Sequence, residues 1–598
     1  MKNAFLFLCC FISTLIAFPQ NGHLFPLKFS ENKRYLIDNT NKPFLIKEFS
    51  AWGLLQAISE AEEAAFLDSL KEEGFNAVMV SMVSNASSQM GGNPPYWQGI
   101  SPFTVEWDFS TPNETYFKHV DWFLKMAESK GFLVILVPCY WGYYTDAGQG
   151  WWDEVRGEKN SPDKMKRYGE FLGKRYQNTP NILWVAGGDN DAKGIDEPYM
   201  KNLIAGIKTY DKEHVWTGHF NNGSGHFWST DNPLYRDVID IDGEYVWQEI
   251  SMGERGPQYV SELNQYKKGR MTIQLDQSYE HDVPHNADNE NPQWIRRKMY
   301  EGLLSGCAGT SFSSGTLENQ CYWFKDWKPL MNTPGMKDAA RCFHLFDRLP
   351  WHDFVPDTSR KIIVEGRGVY GSREYICAAR SKDARFYVMY IPKGGTFYIN
   401  VKEISSQRLT VHWYNPRTGK LIRIGQVKGD ERFGVIAPTE EDWVMVFSEG
   451  VDFNMPDVGT ATVNALTKLV NPGTVHAPRG YSHAAVTDLG TVKMVFIAGQ
   501  VALDRAGNLV GKDNLQQQTE QVFQNIKSIV EAEGGTMENI VKLNYFMRDV
   551  AKIQAVREVR DKFINAKNPP VSTLVEVSKL FREDIFIEIE ATAMIPKQ

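Results

Sequence analysis

NILWVAGGDND, residues 181–191, reads as a strand buried on both faces that ends in a catalytic-looking corner. Ile182 to Ala186 is an apolar run without alternation, which is what a parallel strand covered on both sides requires. Gly187 and Gly188 then release the backbone, and Asp189 follows where the chain leaves the sheet. In a (β/α)₈ barrel the carboxyl ends of the strands carry the chemistry, so a carboxylate here is a candidate for it. An Asp that only caps its own loop is the competing explanation, and the rest of the chain weighs against it.

On either side of this stretch the sequence supplies a barrel. PFLIKEFS (43–50) reads as the first strand. Ser59 and Glu62 then form a capping box that opens a helix closed at Gly74. Further strands are expected at 76–82, 132–138, 214–219, 237–242, 271–276 and 308–313. Helices are expected at 114–130, from Ser161-Pro162 to Tyr176, at 199–210, and from Asn291-Pro292 onward. Repeated strand–helix alternation predicts a TIM barrel over 25–357. Between 360 and 449 the period changes to two, with turn signals at Lys393-Gly394-Gly395 and Asn415-Pro416, which predicts a small antiparallel β-sandwich domain over 358–450. Residues 451–473 read as a linker, and 474–598 as an α+β domain with helices near 514–533 and 553–564.

The totals exclude some partners. A net charge of -8 with no basic cluster argues against nucleic acid. Residues 1–18 have the short positive start and apolar run of a signal peptide, so export is expected. No later stretch is apolar for long enough to span a membrane. Once the leader is removed, Cys139, Cys307, Cys321, Cys342 and Cys377 remain. Their odd number and irregular spacing suggest mostly free, buried thiols rather than a disulfide framework, with room for one disulfide. No Cys/His spacing suits a metal, and no cofactor is expected.

Two carboxyl groups facing each other across a bond are the requirement for hydrolysing a glycosidic linkage. Asp189 after the fourth strand and Asp276 after the seventh supply such a pair, with Glu244 after the sixth as a substitute. Glu280 reads as a loop residue. Trp141 and Trp247 each follow a strand and are candidate sugar-stacking walls, beside Trp151 and Trp152. His219 and Tyr279 are candidate substrate contacts.

The stretches FSAWGLLQAISEAEEAAFLDSLKEEGFNAVMVSM, GQGWWDEVRGEKNSPDKMKRYGEFLGKRYQNTPNILWVAGGDND and DRLPWHDFVPD resemble the apiosidase-like glycoside hydrolases, over roughly 29–357. LTVHWYNPRTGKLIRIG and EDWVMVF resemble the β-domain that follows that barrel. The resemblance implies action on pectic side chains, including apiose linkages, with Asp189 as acid/base in the GGD motif. It also implies a Glu where QLDQSYE carries Asp276, so this carboxylate is one methylene shorter. RGYSHAAV, VFIAGQVALDRAGNLVG, NPPVSTLVEV and IEIEATAMI resemble the reactive-intermediate deaminases (YjgF-type, with a chorismate-mutase-like fold). That resemblance implies a homotrimer with sites between subunits. It places Tyr481 and Glu588 in the pocket, with Ser572 where the family's substrate-binding Arg belongs. Three readings stay open: an exported hydrolase of oligosaccharides, a barrel weakened by the Glu-to-Asp change that binds or assembles, and imine deamination by the last domain.

Overall fold

The computed structural model describes residues 24–83, 97–142, 155–220, 228–245, 257–275, 280, 292–315, 327–400, 408–428, 432–449, 467–478, 480–488, 492–565 and 567–596. They form two compact units, 1–455 and 456–598. The expected signal peptide lies outside the described residues.

The first unit holds a (β/α)₈ barrel of eight parallel strands: β1 (Ile46–Ser50), β2 (Ala77–Ser81), β3 (Leu133–Val137), β4 (Ile182–Gly187), β5 (Trp216–His219), β6 (Asp242–Glu244), β7 (Thr272–Gln274) and β8 (Gly309–Phe312). The ladder runs β8-β1-β2-β3-β4-β5, with β6 and β7 as a separate parallel pair. Backbone bonds at the strand approaches close the circle: Ile241 N–H donates to the Trp216 carbonyl (3.0 Å) and Ala308 N–H to that of Thr272 (2.8 Å). Ile46, Met79, Ile135, Leu183, Val185, Ile241 and Ile273 fill the lumen. Phe49, Val78, Leu136, Trp184 and Trp216 pack outward against the helices. This division follows from the alternation of side chains along each strand.

Among the described residues, besides the one-turn helix Leu54–Ala57, the helices are α1 (Glu60–Glu72), α2 (Glu114–Lys130), α3 (Pro162–Tyr176), α4 (Glu197–Tyr210), α5 (Gln258–Lys267), α6 (Pro292–Leu304) and α7 (Pro334–Phe346). Their ends follow local chemistry. The Ser59–Glu62 capping box is formed on both sides, and Ser161 accepts the Lys164 N–H ahead of Pro162. After β5 the described residues hold short 3₁₀ turns, Ser229–Asp231 and Arg236–Val238, where the repeat would put a helix. The expected sixth strand therefore moves: 237–242 is mostly turn and approach, and pairing begins at Asp242. The cause is tertiary, since the Asp240 carboxylate accepts the Trp216 N–H (3.0 Å) and holds that segment at the start of β5.

The β-domain has a six-stranded sheet facing a three-stranded one, around Tyr387, Met389, Phe397, Trp413 and Trp443. It docks on α6 through a buried network. Arg296 donates to both oxygens of Asp442 (2.8 and 2.9 Å) and to Asp338 (2.6 Å), and the Tyr390 hydroxyl donates to Asp442 (3.0 Å).

Among its described residues the second unit has six strands: β9 (Thr467–Val470), β10 (Ala484–Asp488), β11 (Val492–Gln500), β12 (Ile540–Met547), β13 (Val571–Glu576) and β14 (Ile587–Pro596), in the order β9-β10-β11-β14-β12-β13. Residues 467–470, inside the expected linker 451–473, are an antiparallel strand on β10. Val522, Phe523 and Ile526 of α8 (Leu515–Ala532) and Val556 and Val559 of α9 (Ile553–Arg560) share one core with the sheet. On the opposite face Phe496 is 48% exposed and Leu469 60%.

Candidate active site

The corner after β4 is built by backbone conformation. Gly187, Gly188 and Asp189 all have positive φ, at 100°, 103° and 56°. Glycine tolerates that region and aspartate pays a strain cost, a combination that concentrates at functional sites. Neither glycine has room for a side chain: a Cβ on Gly187 would stand 2.3 Å from the His219 carbonyl oxygen, and one on Gly188 2.9 Å from the Tyr140 ring. The corner is tied down on both sides. Gly188 N–H donates to the His219 carbonyl (2.6 Å), and Gly142 N–H donates to that of Gly188 (2.9 Å).

The Asp189 side chain is thereby turned to the carboxyl ends of the strands, 14% exposed. Its Oδ2 accepts the Tyr140 hydroxyl at 2.5 Å. Its Oδ1 lies 3.4 Å from His219 Nδ1, which also accepts the Asp189 N–H at 3.3 Å. Further rings pack on these two partners: Trp52 lies 4.9 Å from Tyr140 and 5.2 Å from His219, and Tyr245 3.9 Å from His219, between centroids. Trp52, Tyr140, His219 and Tyr245 come from the ends of four different strands, as in enzyme barrels.

The structure brings together Asp189 and His219 among the expected residues. Asp276, Trp247 and Tyr279 lie outside the described residues, as do Trp151 and Trp152. Glu244 is a correction. It is fully buried, accepts the Gln258 amide of α5, and adjoins Glu262 of the same helix. The intervening Gly243 faces the lumen, because a Cβ there would meet Leu275 and Thr217, so Asp242 and Glu244 both point out of it. Asp242 accepts the N–H and hydroxyl of Thr230, and burial raises its carboxyl to about 6. Burial, reinforced by the charge of Glu244, pushes Glu262 well above the usual carboxylate range. Trp141 is wholly buried among the outer core residues, whereas the expectation made it a sugar-stacking wall. Glu280 accepts the Gly335 N–H (2.9 Å) in the first turn of α7.

Trp52, Tyr140 and Tyr245 escaped the sequence reading. Their signal was a place one to three residues past a strand, but which of two neighbours faces the lumen depends on the exit of the backbone. Glu48 also escaped. This carboxylate sits inside β1, fully buried, accepts the Ser50 hydroxyl (2.9 Å), and shares its row with Ser311 of β8. A charged residue within PFLIKEFS was the available signal.

In the second unit, Tyr481 Oη and His476 Nε2 are 2.8 Å apart, and His483 packs on both rings. Burial and the neighbouring Glu588 raise the Tyr481 phenol, and burial with Glu590 raises Glu588. Ser572 is exposed on β13, whose residues 571–576 include no cation. It pairs with Leu543, whereas Glu588 stands in the row of Phe546 and Val575, three residues along. One chain therefore does not bring Ser572 to Glu588. A depression of about 920 Å³ lies on the open sheet face, lined by Leu469, Tyr481, Phe496, Lys542, Asn544 and Glu590 among others. Among the described residues no cluster of three His, Cys, Asp or Glu could hold a metal, and no helix is long and apolar enough to cross a membrane.

Comparison with known proteins gives three consecutive matches. Residues 30–353 match the profile of apiosidase-like catalytic domains. Residues 355–448 match that of a domain described as collagen-binding in a collagenase, and 474–595 that of endoribonuclease L-PSP. A solved glycoside hydrolase shares the fold with a TM-score of 0.56 at 22% identity, over 71% of this chain and 97% of that one. A family 5 glycoside hydrolase of Bacteroides vulgatus does so with 0.57 at 21%, over 72% and 97%. A RutC family protein of Pyrococcus horikoshii is 35% identical over 99 residues, 17% of this chain and 77% of that protein. Another, from Synechocystis, is 29% identical over 130 residues, 22% and 97% respectively.

Proposed function

We propose, on the premise that this chain belongs to the apiosidase-like family, that it is an exported glycoside hydrolase. Its substrates would be pectic-type oligosaccharides, apiose-containing ones included. The observation that carries this reading is the Asp189 carboxylate, forced into an aromatic ring of strand-end residues by three consecutive left-handed conformations. Asp189 acts as acid/base and Asp276 as its partner across the bond. Glu244 has no part, because it faces α5. Residues 1–18 direct export. The test is sugar release from pectic oligosaccharides by the full chain. Asp189→Ala should lower turnover by about 10²–10⁴-fold, the usual worth of a positioned acid/base. Equal turnover in this variant removes the assignment.

The last domain, which resembles the RutC proteins, serves in this reading as a trimerising module. The support is its open sheet face, with Phe496 and Leu469 exposed, and its edge strand β13, exposed along its whole length. The absence of a cation on β13 leaves nothing there to hold a substrate carboxylate. Light scattering on the full chain should give three times the monomer mass, falling to one in Phe496→Glu. A monomeric wild type overturns this part.

A further inference from the structure

We infer that Tyr140 is the positioning residue of Asp189, and that its hydroxyl, rather than its ring, sets the geometry of the reacting carboxylate. The inference rests on the hydrolase reading above. The left-handed corner aims Asp189 at the carboxyl ends of the strands, and the rotamer of its side chain is then set by what the carboxylate touches. Among the described residues two neighbours touch the carboxylate. His219 Nδ1 is 3.4 Å from Oδ1 and already accepts the Asp189 N–H, so its lone pair is engaged with the backbone. The Tyr140 hydroxyl, at 2.5 Å from Oδ2, is the short contact and donates directly to the carboxylate.

Tyr140 in turn is fixed independently of Asp189. Its ring packs on Trp52 at 4.9 Å on one side, and on the other it lies so close to Gly188 that a Cβ there would come within 2.9 Å. The ring is 2% exposed. Gly188 is therefore small for Tyr140's sake as well as for its own φ of 103°. A phenol anchored in this way fixes the plane and reach of the carboxylate it binds. Catalytic geometry is sensitive at this level, since a misplacement near 1 Å costs about 10²-fold in rate.

Tyr140→Phe keeps the ring and its packing, so the variant folds and loses only the hydroxyl. On pectic oligosaccharide it should lower kcat by about 10- to 100-fold while KM stays within about twofold, the signature of an interaction used in the transition state. A second readout needs no substrate. In full-chain protein labelled with ¹³Cζ-tyrosine, the Tyr140 resonance, assigned by its loss in Tyr140→Phe, should move in Asp189→Ala. Wild-type kcat in Tyr140→Phe beside an inactive Asp189→Ala overturns the inference alone. A raised KM at unchanged kcat, or a Tyr140 signal indifferent to Asp189→Ala, also overturns it. Full turnover in Asp189→Ala overturns instead the hydrolase reading beneath it.

Discussion

Asp189 and Glu244 are both carboxylates at the carboxyl end of a barrel strand, yet only one reaches the mouth. At Asp189 the strand has already ended, and three left-handed residues turn the chain so that its side chain meets Tyr140 and His219. At Glu244 the strand is still paired, in register with Gln274 of β7, and side-chain alternation sends the carboxylate back to α5. Both carry a carboxylate, and what separates them is the corner. A strand-end acid is a candidate for chemistry only when the exit of the backbone aims it inward.

The largest effect that bears on this contrast comes from removing the corner. In Gly187→Ala a Cβ would strike the His219 carbonyl at 2.3 Å in a conformation with φ of 100°. Activity should fall by about 10²-fold or more, as expected for a displaced catalytic group, and unfolding should become easier by about 1–3 kcal/mol. Full activity and stability would show that the corner does not aim Asp189.

The outward side has a smaller and opposite signature. Burial, with the charge of Glu244 beside it, raises the Glu262 carboxyl well above its ordinary value. The folded protein therefore holds its proton more tightly than the unfolded chain does. Stability from this site is present at pH below the ordinary glutamate value and declines as pH rises from there through the raised folded value. Each tenfold gain in proton affinity on folding corresponds to about 1.4 kcal/mol lost at high pH. Glu262→Gln retains an acceptor for the Thr272 hydroxyl (3.0 Å) and can donate to Glu244. It should raise the unfolding temperature of the barrel at pH 8 and leave it unchanged near pH 4. A decrease at pH 8 would mean that Glu262 is charged where it stands.

What the sequence made legible was mostly local. The Ser59–Glu62 box and the Ser161-Pro162 start lie where their chemistry places them, because capping involves residues three apart. The fully buried β4 and the two glycines before Asp189 were equally readable. The sixth strand was not, because Asp240 is held by the Trp216 N–H from a neighbouring strand. The choice between Tyr140 and Trp141 was not legible either. Both follow β3, and the side chain that faces Asp189 depends on how Gly142 and Gly188 meet. In the second unit the order of elements was legible, whereas the distance of Ser572 from Glu588 needed the register of three strands.

The most direct measurement is the turnover of one pectic oligosaccharide by Asp189→Asn and Glu244→Gln in parallel, per mole of folded protein. With the corner aiming Asp189 alone, Asp189→Asn should lose about 10²–10⁴-fold, while Glu244→Gln should stay within about twofold of wild type. An active Asp189→Asn beside an inactive Glu244→Gln would put the chemistry on the other carboxylate and contradict the assignment.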